Sequence, residues 1–285
     1  MAGWRERLFR ARARPPFTDP SGDKGWLAPL AWAPRHVGRK LDLAIDGWPR
    51  TTRPLRIAFL SDFHTGSHTD DVARLAGIVA EAARHAPDLA LYGGDFVNLM
   101  PFGSGRVPPA TTATVLAGLG APLGRFAVLG NHDRNYGAAE VTEALQTNGI
   151  AVLLDSMREV SFEGARIGIA GIHDSRRDRA SARALLAGLG REQPTIVLAH
   201  DPWWFSHLPD GPHLMVAGHT HGGQIRLPGI GALRNASWAP LAWSYGLVEA
   251  GERRMYVTSG LGCSNLPLRI GAPPEFVLLD VRAAT

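Results

Sequence analysis

Short apolar runs alternate with one amphipathic segment in the first half of the chain. Leu55–Leu60 and Leu89–Tyr92 are continuous apolar runs of the length that is typical of buried strands. Asp70–His85 lies between them and places Leu75 and Ile78 on one side of a helix. The same patterns predict helices at Thr111–Leu119 and Ala138–Thr147, and strands at Leu41–Ile45 and Phe126–Leu129.

After residue 150 the pattern changes to closely spaced strands with one further helix, Ala180–Leu189. The predicted strands are Val152–Leu154, Val160–Phe162, Ile167–Ala170, Ile196–Ala199, Leu214–Ala217, Gln224–Leu227, Leu247–Ala250, Met255–Thr258 and Phe276–Val281. Strands that alternate with helices, followed mostly by strands, predict an α/β protein with two packed sheets and helices outside.

Residues 1–38 differ from the rest of the chain because they are rich in Arg, Pro and Trp. Proline prevents a long helix there, so we expect an N-terminal arm at 1–38 and one domain at 39–285. Arginines beside Trp4, Leu8 and Phe9 leave two interpretations open: a solvated tail, which we favour, or a contact with an anionic bilayer. Without an apolar run of about 18 residues or a secretory signal, we predict a cytoplasmic protein, with peripheral contact at the inner membrane surface as the alternative.

The composition is that of an ordinary globular protein of 285 residues, 45% hydrophobic and 20% charged, with a formal net charge of +4. Its one cysteine, Cys263, excludes an intrachain disulfide and a zinc cluster built from thiolates. All basic residues except Lys24 and Lys40 are arginines. Arginine suits an anionic substrate, but an arginine-biased genome explains the same composition.

Five polar motifs each follow an apolar run. They are Asp62-Phe63-His64, Gly94-Asp95, Gly130-Asn131-His132-Asp133, Ala199-His200-Asp201 and Gly218-His219-Thr220-His221. Loops beyond the carboxyl ends of strands are where layered α/β proteins bind ligands, and residues two apart in an extended chain point the same way. We therefore expect the side chains of each pair, Asp62 with His64 and His219 with His221, to reach one point.

The donors in these motifs favour hard or borderline metals, because they combine carboxylate, imidazole and amide oxygen without sulfur. Such donors suit Mn, Fe, Zn, Ni or Co, with Mn and Fe favoured. Seven residues supply four contacts to each of two ions if one carboxylate bridges; they are Asp62, His64, Asp95, Asn131, His200, His219 and His221.

The five motifs, in this order, resemble those of the calcineurin-like metallophosphoesterase superfamily, and the likeness extends from Leu55 to the C-terminus. Gly218–Ile225, Ser259–Gly262 and Leu268–Glu275 further resemble its bacterial branch of YaeI- and YkuE-type phosphodiesterases. The resemblance implies a four-layer αββα sandwich of two mixed β-sheets flanked by helices. It also implies that the sandwich holds a dinuclear metal centre.

The resemblance also assigns roles. One ion would be held by Asp62, His64, Asp95 and His221, and the other by Asp95, Asn131, His200 and His219, with Asp95 as the bridge. His132 would face the substrate phosphate, and Asp133 would orient His132 by accepting its other N–H. The implied function is hydrolysis of a phosphodiester or pyrophosphate, in a small or lipid-linked substrate, by a hydroxide that bridges the ions.

Two alternatives remain at this point: a nuclease, and an inactive scaffold with the same fold. The chain has no basic–aromatic module that is specific for nucleic acid, and nothing indicates an obligate protein partner. An inactive scaffold would typically lack His132 or a metal ligand, and this chain has the full set.

Several other residues have uncertain roles. Arg269 is either a substrate anchor or a surface residue. We expect Asp201 to be a turn residue and Cys263 to be a small packed residue. The remaining histidines, at 36, 68, 85, 173, 207 and 213, are expected to be structural or on the surface. Three aromatic-rich loops line a pocket or pack against sheet edges; they contain Phe96, Met100, Phe102, Trp203, Trp204, Phe205, Trp238, Trp243 and Tyr245.

Overall fold

The computed structural model of the chain describes residues 33–68, 70–100, 106–173, 179–264 and 266–285. Within these ranges, the strands form two six-stranded sheets and one small hairpin. Four α-helices lie in the same ranges: α1 (Asp71–Ala83), α2 (Pro109–Ala117), α3 (Asn131–Thr147) and α4 (Ala180–Ala187).

The first sheet combines the two ends of the described chain with its first strands. In spatial order its strands are β1 (Val37–Ile45), β14 (Glu275–Ala283), β2 (Leu55–Leu60), β3 (Leu89–Tyr92), β4 (Arg125–Ala127) and β5 (Ala151–Val152). Neighbouring strands are parallel except β14 and β2, so the sheet is mixed.

The second sheet is formed by the later strands. In spatial order these are β12 (Gly246–Ala250), β13 (Arg253–Val257), β9 (His213–Ala217), β8 (Thr195–Ala199), β7 (Ala165–Ile172) and β6 (Ser156–Phe162). Its two outer pairs are antiparallel and its centre is parallel. The separate hairpin pairs β10 (Arg226–Leu227) with β11 (Gly231–Ala232).

The alternation of side chains across each strand produces four layers. Ile57 and Phe59 of β2 belong to the apolar cluster between the two sheets, whereas Ala58 and Leu60 face the cluster that contains α1, α2 and α3. A third cluster packs α4 and the 3₁₀ helix Pro202–His207 against the second sheet. The predicted αββα arrangement of two mixed sheets between helices is therefore confirmed.

Several boundaries differ from the sequence-based prediction, and two of these differences have a clear physical reason. The first strand begins at Val37 and not at Leu41, because its exposed residues pair with β14 and show no apolar pattern. The third helix begins at Asn131, seven residues before the predicted Ala138. Gly137 (φ 155°) interrupts it, and the polar segment before that glycine hides the first helical turns from a hydrophobicity pattern.

The described part of the chain contains no helix that is both long and apolar enough to cross a bilayer. The predicted arm up to residue 32, and Phe102 of the second motif's loop, lie outside the described residues.

Candidate metal centre

The five motifs meet at one end of the sandwich. Strands β2, β3 and β4 are parallel neighbours in the first sheet, and β8 and β9 are parallel neighbours in the second. Their carboxyl ends therefore lie side by side, and the loops that follow carry the motifs. All seven predicted ligands lie within this one cluster; they are Asp62, His64, Asp95, Asn131, His200, His219 and His221.

The first half of the centre consists of Asp62, His64 and His221. The Nε2 atoms of His64 and His221 are 3.2 Å apart. The Nε2 atom of His221 also lies 3.7 Å from Oδ1 of Asp62. One donor atom from each residue lies within 4.8 Å of the others, which is the geometry of a shared cation site.

The second half consists of Asn131, His200 and His219. His200 Nε2 lies 3.1 Å from His219 Nδ1 and 3.3 Å from Asn131 Oδ1. Asp95 lies between the halves, because its Oδ2 atom is 3.5 Å from His64 Nε2 and 3.4 Å from His200 Nε2. Both halves thus share one carboxylate.

Backbone carbonyls orient three of the four imidazoles. The pairs are His64 Nδ1 with Val97 O at 3.3 Å, His200 Nδ1 with Gly93 O at 2.7 Å, and His219 Nε2 with Ala236 O at 3.2 Å. A carbonyl can only accept, so these ring nitrogens carry the protons. The opposite nitrogen of each ring then directs a lone pair into the centre.

The facing lone pairs indicate that the donors fit a metal. In the second half, His200 Nε2 and His219 Nδ1 are 3.1 Å apart, although each ring donates its proton elsewhere. Two lone pairs at that separation repel each other unless a cation accepts both. The carboxylate, amide and imidazole donors therefore fit a Lewis-acidic metal ion of the borderline class.

Burial keeps the imidazoles of His64 and His221 neutral. It lowers the pKa of His64 to about 3 and holds the pKa of His221 well below its usual range. Burial also raises the pKa of Asp62, whereas the nearby His200 and His132 hold the pKa of Asp95 well below its usual value against the effect of its own burial. Neutral rings beside a charged Asp95 favour a cation over protons.

The backbone at the centre is strained. Five predicted ligands adopt positive φ angles without being glycine: Asp62, His64, Asp95, His219 and His221, at 38–68°. Each such residue costs about 1–3 kcal/mol and persists only where its surroundings fix it. Gly130 and Gly218 are required for a different reason, because a Cβ atom there would overlap the carboxylates of Asp95 and Asp62.

Asp133 does not orient His132, so this expectation is wrong. Its carboxylate accepts backbone N–H groups from Asp95 and Phe96, both at 2.8 Å, and from Gly130 at 2.9 Å. Burial raises the pKa of Asp133 to about 7. Asp133 therefore connects the loops after β3 and β4 and fixes the backbone of Asp95.

Arg269 is neither a surface residue nor a substrate anchor. It is buried, and its guanidinium donates to the carbonyls of Ser259 at 2.7 Å and Ala272 at 3.1 Å. Its Nη2 atom also lies 3.3 Å from Nδ1 of His221, the ring that lacks a carbonyl partner among the described residues. Sequence reasoning missed this role because carbonyl partners leave no trace in residue types.

Asp201 does more than end a turn. Its Oδ1 atom accepts the backbone N–H of Trp203 at 2.9 Å and the hydroxyl of Ser237, and Oδ2 lies 3.9 Å from His219 Nε2. Ser237 follows Ala236, whose carbonyl orients His219. Asp201 therefore supports the segment behind the second half.

Another histidine and the cysteine form a buried pair beside the first motif. His68 Nε2 lies 3.4 Å from Cys263 Sγ, and its Nδ1 lies 3.0 Å from the hydroxyl of Ser67. Both residues are buried, which agrees with a structural role. The pair joins the loop after β2 to the loop that contains Arg269.

Most aromatic residues of the three loops pack inside the fold. Phe96 stacks on Phe63 with ring centroids 5.0 Å apart, and Phe205 packs edge-on against Trp243 at 5.2 Å. By contrast, a cavity of about 450 Å³ beside Thr220 and His221 is lined mainly by Gln224, Ile225, Leu233, Arg234, Asn235 and Leu266. The described aromatic residues of the three loops are absent from the lining of this cavity, so packing inside the fold is the interpretation that the structure favours.

Known proteins match the chain over the region that carries the motifs. The profile of the family described as Calcineurin-like phosphoesterase matches residues 55–223. Phosphodiesterase YaeI of Escherichia coli (strain K12) is 32% identical over 242 residues, which cover 80% of this chain and 82% of that protein. The metallophosphoesterase YkuE of Bacillus subtilis (strain 168) is 28% identical over 232 residues, which cover 79% of this chain and 77% of that protein. The chain belongs to the calcineurin-like phosphoesterase family and is a phosphoester hydrolase.

Proposed function

We propose that this chain is a phosphodiesterase whose centre holds two metal ions, with Mn or Fe preferred. The observation that carries the proposal is the pair of facing lone pairs on His200 and His219, 3.1 Å apart. The first half also brings two imidazoles together, with Nε2 of His64 and Nε2 of His221 3.2 Å apart. The facing lone pairs of the second half and the converging donors Asp62, His64 and His221 of the first half, on either side of Asp95, support one cation in each half.

The proposed ligands follow from these distances. Asp62, His64 and His221 would bind one ion and Asn131, His200 and His219 the other, with Asp95 shared. When bound, two ions of this kind lower the pKa of a water molecule and neutralise charge that develops on phosphoryl oxygens. No serine or cysteine nucleophile is required.

The surroundings of His132 support a role on the substrate. Its backbone N–H donates to Asp95 Oδ1 at 2.8 Å, and its ring packs edge-on against His64 with centroids 4.4 Å apart. Its Nδ1 atom has no hydrogen-bond partner among the described residues. A ring held beside the centre with an unused nitrogen can contact the phosphate or protonate the leaving oxygen, which contributes typically about 10²–10⁴-fold.

The substrate class is proposed in general terms. The Escherichia coli relative is named a phosphodiesterase, and the cavity beside His221 has room for a small or lipid-linked leaving group. A cytoplasmic location stays a prediction for cell fractionation to check, with contact of the arm at the inner membrane surface as the alternative.

The test is hydrolysis of bis-p-nitrophenyl phosphate by protein that is stripped with chelator and refilled with Mn. We expect metal-dependent turnover, and a loss of about 10²–10⁴-fold in kcat for His132→Ala. His36→Ala is the control. His36 lies away from the centre, where its Nε2 atom is 3.0 Å from Oε2 of Glu81.

Metal content separates the roles of His132. One donor atom of His132 lies within 4.8 Å of donors from His64 and Asp95, so the ring could itself bind an ion. Retained metal with lost turnover supports a role on the substrate, whereas loss of one ion makes His132 a ligand. Absence of turnover with every metal tried would contradict the proposed phosphodiesterase.

A further inference from the structure

Exposed apolar side chains are concentrated beside the centre. Among the described residues, twelve large hydrophobic side chains are exposed, and nine of them lie between Leu227 and Ile270. Six of these form what we call the apolar rim: Leu227, Ile230, Leu233, Leu266, Leu268 and Ile270. Isolated exposed apolar residues are ordinary, but a concentration of this kind marks an interaction surface.

Backbone hydrogen bonds join the two segments of the rim. Arg226 N donates to Ile270 O at 2.8 Å, and Ile270 N donates to Gln224 O at 3.0 Å. The side chain of Gln224 adds a bond to the carbonyl of Leu266 at 3.0 Å. The β10–β11 hairpin and the segment 266–271 therefore present one continuous face.

The rim lies in a part of the chain that has no carboxylates. Residues 217–248 and 253–274 contain neither Asp nor Glu, although the chain has 26 acidic residues. Arg226 and Arg234 flank the rim, and Arg234 is exposed. An apolar face whose own segments carry positive charge and no acidic residue complements an anionic lipid surface.

The rim also borders the route to the centre. Leu233 and Leu266 line the cavity that reaches Thr220 and His221. The hairpin tip, Pro228–Ile230, is exposed, and Ile230 has 69% of its surface accessible. A bilayer that contacts this tip would lie at the mouth of the cavity.

We propose that the apolar rim docks on an anionic bilayer and presents the centre to phosphodiesters of amphiphilic molecules at its surface. A second copy of this chain is a poorer occupant, because a symmetric contact would bring Arg226 and Arg234 of both copies into one interface whose segments contain no carboxylate partner. The docking is independent of catalysis, whereas the amphiphilic substrate rests on the proposed phosphodiesterase function.

The experiment is co-sedimentation of the full chain with vesicles of phosphatidylcholine, with or without an equal part of phosphatidylglycerol. We expect binding that requires phosphatidylglycerol and weakens with salt. Ile230→Ser combined with Leu268→Ser should weaken binding at least about tenfold, because two inserted aliphatic side chains are lost. Arg234→Gln should weaken it about fivefold.

The matched control is Leu154→Ser combined with Met157→Ser. These residues are also exposed and apolar, but they lie at the β6 edge of the second sheet, away from the rim. The control should bind vesicles like the unaltered chain. Both double variants should hydrolyse soluble bis-p-nitrophenyl phosphate at the unaltered rate.

Three results would contradict the proposal that the apolar rim docks on a bilayer. The unaltered chain could ignore anionic vesicles, or the rim variant could bind them as the control does. The rim variant could also convert a dimer to a monomer in gel filtration without vesicle binding, which would assign the rim to a second copy. Vesicle binding that depends on the rim, without turnover of any diester, would instead reject the proposed function and keep the surface.

Discussion

The two halves of the centre each combine two imidazoles with the shared Asp95, and Asp62 completes the first half where Asn131 completes the second. The halves also differ in how their imidazoles are supported. Behind the first half, His221 faces the buried guanidinium of Arg269. Behind the second half, His219 donates to the carbonyl of Ala236, which lies in an exposed segment. Because the imidazoles of the two halves have unequal support, we expect a change in the buried support to affect the first half strongly and a change in the exposed support to affect the second half weakly.

The largest effect is expected where the halves join. Asp95→Asn should abolish turnover and lower metal content, because Asp95 Oδ2 lies within 3.5 Å of imidazole nitrogens from both halves. The measurements are elemental analysis and hydrolysis of bis-p-nitrophenyl phosphate. Full activity with two bound metals would remove Asp95 from the bridging role and separate the halves.

Arg269→Met should have the second-largest effect, and it should weaken metal binding in the first half. Loss of the guanidinium leaves the carbonyls of Ser259 and Ala272 without their donor and releases His221. We expect metal affinity to fall about 10–100-fold for one ion, together with a lower free energy of unfolding.

The control for Arg269→Met is Arg125→Met, since Arg125 also donates to a carbonyl, that of Ala117 at 2.8 Å. Arg125 begins β4, at the end of the strand opposite the centre. Arg125→Met should destabilise the fold without changing metal affinity. Equal losses of affinity in both variants would show that Arg269 acts through global stability alone.

Ser237→Ala should produce a smaller effect on the second half. It removes the hydroxyl that contacts Asp201 and accepts the N–H of Ala239 at 2.8 Å, beside the carbonyl that orients His219. Because water can replace contacts in an exposed segment, we expect metal affinity to fall by less than about tenfold. Ser206→Ala is the control, and calorimetric titration with Mn is the measurement. A loss as large as that of Arg269→Met would break the contrast between the halves.

The smallest effect is expected at His213, which lies in the second sheet outside both halves of the centre. Its ring is buried, and both ring nitrogens lack partners among the described residues. Burial lowers its pKa in the folded state. As pH falls below about 6.5, the unfolded chain binds a proton that the folded chain does not, so the free energy of unfolding decreases. His213→Met should flatten this decline in denaturant titrations between pH 7 and pH 5 (an approximate window). An unchanged slope would assign the pH dependence to other groups.

The sequence predicts most of the elements because apolar runs and helical spacing decide burial. The strands Leu55–Leu60 and Leu89–Tyr92 are observed with the predicted limits. The convergence of the seven proposed ligands was also predictable, since each follows a strand and matches a family motif. Residue types recur at such positions because the chemistry requires them.

What supports the ligands could not be predicted in the same way. The partner of His200 is the carbonyl of Gly93, 107 residues earlier, and any residue could supply that carbonyl. Asp133 has the residue type expected of a partner for His132, yet its oxygens accept backbone N–H groups. Such choices depend on how separate loops pack, which no local pattern records.

The position of β14 has a consequence for how the chain is made. Strand β14 lies between β1 and β2, although it is the last strand along the described chain. Until Glu275–Ala283 has been synthesised, β1 has no partner and one edge of β2 is open. A nascent chain that already carries all five motifs therefore exposes an unpaired apolar edge, and such edges recruit other chains. Stalled or truncated translation products of this protein should consequently be prone to aggregate and should depend on chaperones more than the finished chain.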